Sequence, residues 1–443
     1  MSFAFVHLSD IHFGQERGGT VIIHDDAKAR LIDDIKVVME KVSGKRAAGI
    51  IVTGDIAYGG KEAEYKEAAK WLDKVAKAAG CEITDIQVVP GNHDIDRAEI
   101  SAGCGYLLAQ IAKRGESKLD EFLNNDRDRA SLYARFASYI PFAEGYNCAM
   151  DCAGGLASEK VFPLAPGREL QFMGLNSALV CRKKDKVGRL LLGARQRVLP
   201  VQPGRELVVL SHHPLHWLQD SEDARKFVRS RARVFISGHE HKPKVNVDEI
   251  EAGCDLLTLA AGATCPPDAI GPYTYAYNVL EFELDDATDR LKVTVHPRAW
   301  DDERKRFDHD GVQLQDNKPA YYLGCPNFRA EARPVPVDQT SQAASKLKLK
   351  VAPAEANAPE QPKDEIIVPD EYPLVLMWFF RELTDGQRLA VLVNLNALPA
   401  NWSEETSHAM QRQILDALVR KGRLDEVRAA IEVERQKPPI GSV

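Results

Sequence analysis

The chain has 443 residues, 44% hydrophobic and 28% charged, which suits a soluble protein of two or three domains with a large core. A formal net charge of −7 gives no support to a broad nucleic-acid-binding surface and leaves room only for a local basic patch. Eight cysteines without regular spacing make no disulfide framework, the N-terminus carries no signal-peptide pattern, and no run reaches the roughly 18–20 apolar residues of a membrane span; a reduced, cytoplasmic protein without membrane association is expected.

Residues 3–8 read as a short buried strand that ends in Ser9-Asp10-Ile11-His12. Asp10 and His12 are two apart, so in an extended segment they point to one side and suit a divalent transition metal. A helix is expected over 25–42, then a second buried strand over 48–52, closed by Thr53-Gly54-Asp55. Tyr58-Gly59-Gly60 continues that loop, and residues 61–79 carry Tyr65, Ala69, Leu72 and Val75 at helical spacing. The third strand, 85–89, runs into Pro90-Gly91-Asn92-His93-Asp94, and strand and helix have now alternated twice, which points to βαβ units and a parallel sheet. Residues 99–146 are polar and helical and read as an insertion that either walls the site or only decorates the fold.

Short strands return between 161 and 192. Residues 206–210 form another apolar strand, followed by Ser211-His212-His213-Pro214-Leu215-His216, and 234–236 lead into Ser237-Gly238-His239-Glu240-His241. Residues 245–297 read as antiparallel strands, including 256–260, 277–284 and 291–296. The segment 331–369, rich in Pro, Ala, Gln, Ser and Lys without periodic apolar positions, is expected to be a flexible linker. Beyond it, 370–443 is helical, with a capping-box pattern at Thr384 and Gln387 and a helix stop at Gly422.

Five strand ends thus carry Asp10 and His12, Asp55, Asn92 and His93, His212, and His239 with His241. Asp-x-His, Gly-Asp, Gly-Asn-His-Asp, His-x-Pro and Gly-His-x-His, in this order over residues 3 to about 300, resemble the full signature of the calcineurin-like metallophosphoesterases. The resemblance implies a sandwich of two mixed β-sheets flanked by helices over 1–330, with a dinuclear metal centre at the strand ends. It implies that Asp10, His12 and His241 hold one divalent ion, that Asn92, His212 and His239 hold the other, and that Asp55 bridges them. Mn, Fe or Zn fits such mixed N/O donors. Two cations sharing a water lower its pKa towards neutrality, so phosphorus is attacked in line without a serine or cysteine nucleophile. The resemblance makes His93 the proton donor to the leaving group or a transition-state stabiliser, with Asp94 a candidate for the carboxylate that tunes it.

His213 is placed behind His212 because His-x-Pro assigns the ligand to His212, and His216 is a near miss. Arg97 reaches either a substrate phosphate or a loop carboxylate such as Asp96. Tyr58 either stacks on a base or packs. The Ser-Asp-x-His opening and the Val-Pro-Gly-Asn-His-Asp strand end look most like bacterial phosphodiesterases, of cyclic nucleotides or of DNA, so a nucleotide or nucleic-acid phosphodiester is the expected substrate. A protein or small-molecule phosphomonoesterase, and an adaptor that uses the fold for binding, are the alternatives. The tail, with Asp385-Gly386-Gln387-Arg388-Leu389 and Gly422-Arg423-Leu424-Asp425-Glu426-Val427, is similar to bacterial death-like effector-associated domains. That similarity implies a module for partner or self association, of the kind used in defence systems.

Overall fold

The computed structural model describes residues 2–16, 20–248, 255–266, 274–314, 318–329, 371–399, 402 and 406–437. The linker expected over 331–369 lies outside them. In chain order the first half comprises β1 (Ser2–Leu8), α1 (Thr20–Met39), β2 (Ala47–Val52), α2 (Glu62–Ala79) and β3 (Ile86–Val88). The insertion follows as α3 (Ala102–Arg114), α4 (Glu116–Asn124), α5 (Asp126–Tyr133) and α6 (Tyr139–Gly145). Next come β4 (Ser158–Ala165), β5 (Arg168–Gly174), α7 (Ala194–Arg197), β6 (Arg205–Leu210), α8 (Ser221–Arg231), β7 (Ala232–Ser237), β8 (Pro243–Asp248) and β9 (Leu256–Ala261). The body closes with β10 (Ala276–Asp285), β11 (Arg290–Asp301), β12 (Arg306–His309), β13 (Ala320–Gly324) and α9 (Pro326–Arg329).

Two mixed sheets result. One runs β12-β11-β10-β1-β2-β3, with β13 also on β11, and the other runs β4-β5-β6-β7-β9-β8. Alternation along β1 explains the layering: Ala4, Val6 and Leu8 face the helices, while Phe5 faces the second sheet. There Phe5 meets Phe162, Phe172 and Phe282 with ring centroids 5.0 to 5.8 Å apart. A buried aromatic of this kind contributes about 1.5–3 kcal/mol, so the quartet is a main weld between the sheets. The strands that matter for chemistry, β1-β2-β3 and β5-β6-β7, pair parallel within their sheets, which sends their C-terminal ends to one rim.

Residues 256–260, expected to be antiparallel throughout, differ. β9 pairs parallel with β7 and antiparallel with β8. Leu257 and Leu259 belong to the inter-sheet core, so β9 takes the inner slot, and β8, half-buried and bearing Lys244, Asn246 and Asp248, takes the edge.

Helix α2 begins where the Glu64 carboxylate accepts the Gly59 and Lys61 amides, at 2.9 Å each, and ends at Gly80 in the left-handed region (φ +73°). The insertion is packed into the body by Arg135, fully buried, whose guanidinium donates to the carbonyls of Leu132, Leu179 and Cys181.

The tail helices, α10 (Tyr372–Met377), α11 (Asp385–Asn394), α12 (His408–Arg420) and α13 (Leu424–Arg435), have a core of their own that includes Phe379, Leu392, Leu415 and Ile431. The Thr384–Gln387 capping box and the left-handed Gly422 (φ +74°) are both present, as expected. This small all-α unit rests on α2 and α6. Arg381 reaches Asp73 of α2 with both terminal nitrogens, at 2.9 and 2.5 Å, and Arg412 donates to Glu144 and Asn147, at 2.9 Å each.

Candidate metal centre

The five strand ends meet at one rim. Asp55 is 1% exposed, and its two oxygens do different work. Oδ1 accepts the His93 amide at 2.7 Å, while Oδ2 lies 3.2 Å from His12 Nε2 and 3.4 Å from His212 Nε2. On one side, Asp10 Oδ1 is 3.2 Å from His241 Nε2, and Asp10, His12 and His241 offer donor atoms within 4.8 Å of one another. On the other side, His212 Nε2 lies 3.2 Å from both Asn92 Oδ1 and His239 Nδ1. All seven expected donors are therefore brought together, with one oxygen of Asp55 between the two groups.

The backbone that does this was not foreseen. Asp10 and His12 lie on kinks rather than in an extended segment. Five of the ten non-glycine residues with positive φ among the described residues are Asp10 (+53°), His12 (+54°), Asp55 (+51°), His239 (+70°) and His241 (+54°). Each such residue costs about 1–2 kcal/mol against an ordinary conformation, so the loops must be held by other bonds. They are interlaced: the amides of Ile11 and His12 donate to the Asp55 carbonyl at 2.9 Å, and the His239 amide donates to Asp10 Oδ2 at 3.0 Å. Glycine is required at Gly91, where a Cβ would run into the Asp55 amide and carboxylate.

Second partners fix the rings. His212 Nδ1 is 2.8 Å from the Thr53 carbonyl, so that nitrogen carries a proton and Nε2 is the atom turned to the centre. His213 turns away, with Nδ1 2.9 Å from Ser177 Oγ and Nε2 3.9 Å from Cys181 Sγ. It is close enough to His212 and His239 to belong to a donor cluster by distance, but those two bonds occupy it. His216 sits at the surface against Glu240, 2.7 Å away. His93, half-buried, points Nδ1 at the Tyr58 carbonyl (2.8 Å) and stacks under the Tyr58 ring, centroids 5.1 Å apart. Tyr58 thus packs on His93 at the exposed rim.

Two expectations change here. Asp94 is not the carboxylate of His93: fully buried, it accepts the amides of Ile56, Ala57 and Gly91 and the Tyr65 hydroxyl. A short carboxylate at a strand end satisfies loop amides more readily than it reaches a neighbouring ring that faces the other way. Arg97 does not pair with Asp96, which is taken by Lys61 at 2.6 Å; its Nη2 donates to the Asn92 carbonyl at 3.3 Å. Sequence reasoning also missed Ser9, whose hydroxyl donates to Asp10 Oδ2 at 2.6 Å, and Trp217, whose ring meets the His239 ring edge-on at 4.1 Å. Ser9 stood next to a motif residue and could have been found; Trp217 gave no signal.

Electrostatics favour a cation. Burial pushes the Asp55 carboxyl up, but His212 and His12 reverse this and hold it well below the usual carboxylate range. Asp10 is lowered in the same way by His241 and His212. Burial works against a charged His212, yet Asp55 and Asp10 raise it to about 9, while burial and His212 push His239 down to about 3. Two ionised carboxylates buried at 3.2–3.4 Å from ring nitrogens favour positive charge among them, which protons on His12 and His212 supply and divalent cations can replace. The donor set fits a pair of divalent cations.

The family model for calcineurin-like phosphoesterases matches residues 3–243, and the model for the GTPase-associated adaptor domain matches residues 371–433. A curated relative, an uncharacterized metallophosphoesterase-like protein YydB of Bacillus subtilis (strain 168), is 23% identical over 344 residues; the match covers 73% of this chain and 65% of that protein. Among solved structures, purple acid phosphatase PPD1 from yellow lupin (Lupinus luteus) is 10% identical with a TM-score of 0.41, covering 75% of this chain and 56% of that one. The NAD nucleotidase NadN of Haemophilus influenzae is 11% identical with a TM-score of 0.33, covering 71% and 54%. Likenesses this distant leave chemistry to be argued from the residues themselves. The family match spans more than half of the 443 residues and contains all seven donors, and the chain belongs to the calcineurin-like phosphoesterase family.

Proposed function

We propose that the protein is a metal-dependent phosphoesterase, a phosphodiesterase of nucleotides or nucleic acid, with Asp10, His12 and His241 holding one divalent ion, Asn92, His212 and His239 the other, and Asp55 bridging. One observation carries this reading: Asp55 Oδ2 stands between His12 and His212, within 3.4 Å of a donor nitrogen in each group. A bound pair of Mn, Fe or Zn ions supplies a nucleophilic water near neutral pH and neutralises charge on the phosphate. His93 protonates the leaving oxygen; its Nδ1 is committed to the Tyr58 carbonyl, which leaves Nε2 for the substrate. Burial holds the His93 pKa below the ordinary imidazole value, with Asp55 opposing it, so the protonated form that donates from Nε2 is favoured as pH falls. Asp94 and Arg97 act by holding the loops of Asp55 and Asn92 in place, and Tyr58 backs the His93 ring.

Residues 1–330 form the phosphoesterase domain in this reading, and 370–443 an adaptor module for a protein partner or a second copy, in keeping with defence systems that use similar modules. A cytoplasmic location goes with it, supported by free cysteines and by the lack, among the described residues, of any helix long and apolar enough to cross a membrane. The test is metal-stripped protein reloaded with Mn²⁺ and offered an aryl phosphodiester, an aryl phosphomonoester, cyclic nucleotides and single-stranded DNA. Diester turnover that vanishes in Asp55→Ala is expected; equal turnover by that variant ends the proposal.

A further inference from the structure

One loop has a charge unlike the rest of this acidic chain. From Arg182 to Arg189 the sequence is Arg-Lys-Lys-Asp-Lys-Val-Gly-Arg, five cations against one carboxylate. Lys183, Lys184, Lys186 and Arg189 are exposed, and among the described residues none has a carboxylate within ion-pair distance. Asp185, the single acid, is turned inward, where its carboxylate accepts the Arg182 amide at 2.8 Å. Four solvated positive side chains are thus held on a short segment without local neutralisation.

The loop is rooted at the metal centre. Ser177 and Cys181, immediately before it, contact the two ring nitrogens of His213, neighbour of His212. Burial raises the Asp185 pKa, and Arg97, bonded to the Asn92 carbonyl, is among the groups that oppose this. On the other flank a shallow cleft of ≈ 390 Å³ runs between Lys183–Lys184 and helix α3, lined there by Gly105 and Leu108. On the same helix, Tyr106 is 62% exposed, an aromatic face open to solvent.

We infer that residues 182–189, with Tyr106, form a binding tract for single-stranded nucleic acid that feeds a phosphodiester to the metal centre. The inference rests on the phosphodiesterase reading above and names its substrate. Consecutive cations track a backbone of consecutive phosphates, and an aromatic face stacks a base without regard to sequence. A single strand is the form named because its bases are free to stack on an exposed aromatic side chain, whereas those of a duplex are already paired and stacked. A net charge of −7 for the whole chain, this loop included, keeps the attraction local.

The test uses the full chain carrying Lys183→Glu, Lys184→Glu and Lys186→Glu. With Mn²⁺ loaded, kcat/KM is measured for a single-stranded deoxyoligonucleotide and for bis(p-nitrophenyl) phosphate at two salt concentrations. Binding of a labelled oligonucleotide to metal-stripped protein is read by anisotropy. Oligonucleotide kcat/KM should fall about 30-fold or more and its dependence on log salt should flatten by about 2, near 0.7 for each lost phosphate contact, while the aryl diester changes less than about twofold. Tyr106→Ala should weaken oligonucleotide binding alone, by about fivefold or more. Equal losses on both substrates, an unchanged salt slope, or tighter binding to phosphatidylserine vesicles than to the oligonucleotide would overturn the tract. Aryl-diester turnover with no oligonucleotide binding overturns it and leaves the phosphodiesterase reading intact. Oligonucleotide binding through the loop by a protein with no esterase activity supports the tract and sinks that reading instead.

Discussion

The metal centre and the seat of the tail are both built from charged side chains, and they differ in how much each charge can be spared. At the centre, Asp10 and Asp55 are buried completely or nearly so, sit on left-handed backbone, and face several partners each. At the seat, Arg381 meets Asp73, and Arg412 meets Glu144 across the seat and Asp416 on its own helix, in pairs whose side chains are up to 35% exposed. Deep charges in a shared cluster cannot be removed singly without stranding the others, whereas a half-buried pair can open and close. The centre is therefore the less forgiving of the two regions, and within the seat the Arg381–Asp73 pair is more easily spared than Arg412–Glu144.

The strongest way to break this contrast is Asp55→Ala, which should lower diester turnover about 10⁴-fold or more while far-UV circular dichroism stays native. Next is His93→Gln. Loss of a positioned proton donor should cost about 10²–10³-fold on alkyl leaving groups and far less on p-nitrophenolate, which leaves unprotonated. A uniform loss on both would assign His93 to binding. At the seat, Arg412→Ala strands Glu144, which is 4% exposed, and should loosen the tail by about 2 kcal/mol. Hydrogen exchange in α12 and α13 should then rise about 30-fold with aryl-diester turnover unchanged; a matching loss of turnover would erase the distinction between the two regions.

A pH experiment sharpens it further. Because His212 is raised to about 9 by its carboxylate neighbours, a cation must displace a proton from it at any lower pH. Apparent Mn²⁺ affinity should therefore fall about tenfold for each unit of pH below about 9, with proton uptake by the buffer visible in calorimetry. The smallest effect is expected for Tyr65→Phe, which removes one bond to Asp94 and should cost about 1 kcal/mol and a few-fold in kcat.

Much of this centre was legible in the sequence, because the chemistry demands particular residue types and the strands announce themselves as apolar runs. Asp10, His12, Asp55, Asn92, His212, His239 and His241 could be named from motif order, and all seven meet. What failed to show was what depends on contacts far along the chain. Asp94 looks like a partner for His93 until Tyr65, from the next helix face, claims it. His-x-Pro already separates His212 from His213, but that Ser177, 36 residues before His213, holds the second ring could not be read. The direction of β9 is decided by which strand can bury Leu257 and Leu259. The docking of the tail on Asp73 and Glu144 left no mark on local periodicity at all.

The kinked backbone at five of the donors bears on the order of events during maturation. Loop amides hold these residues independently of any ion, through Ile11, His12 and His239, so the fold is expected not to depend on loading. Chelation should accordingly yield a natively folded apoprotein that melts cooperatively, and refilling should need no denaturant cycle.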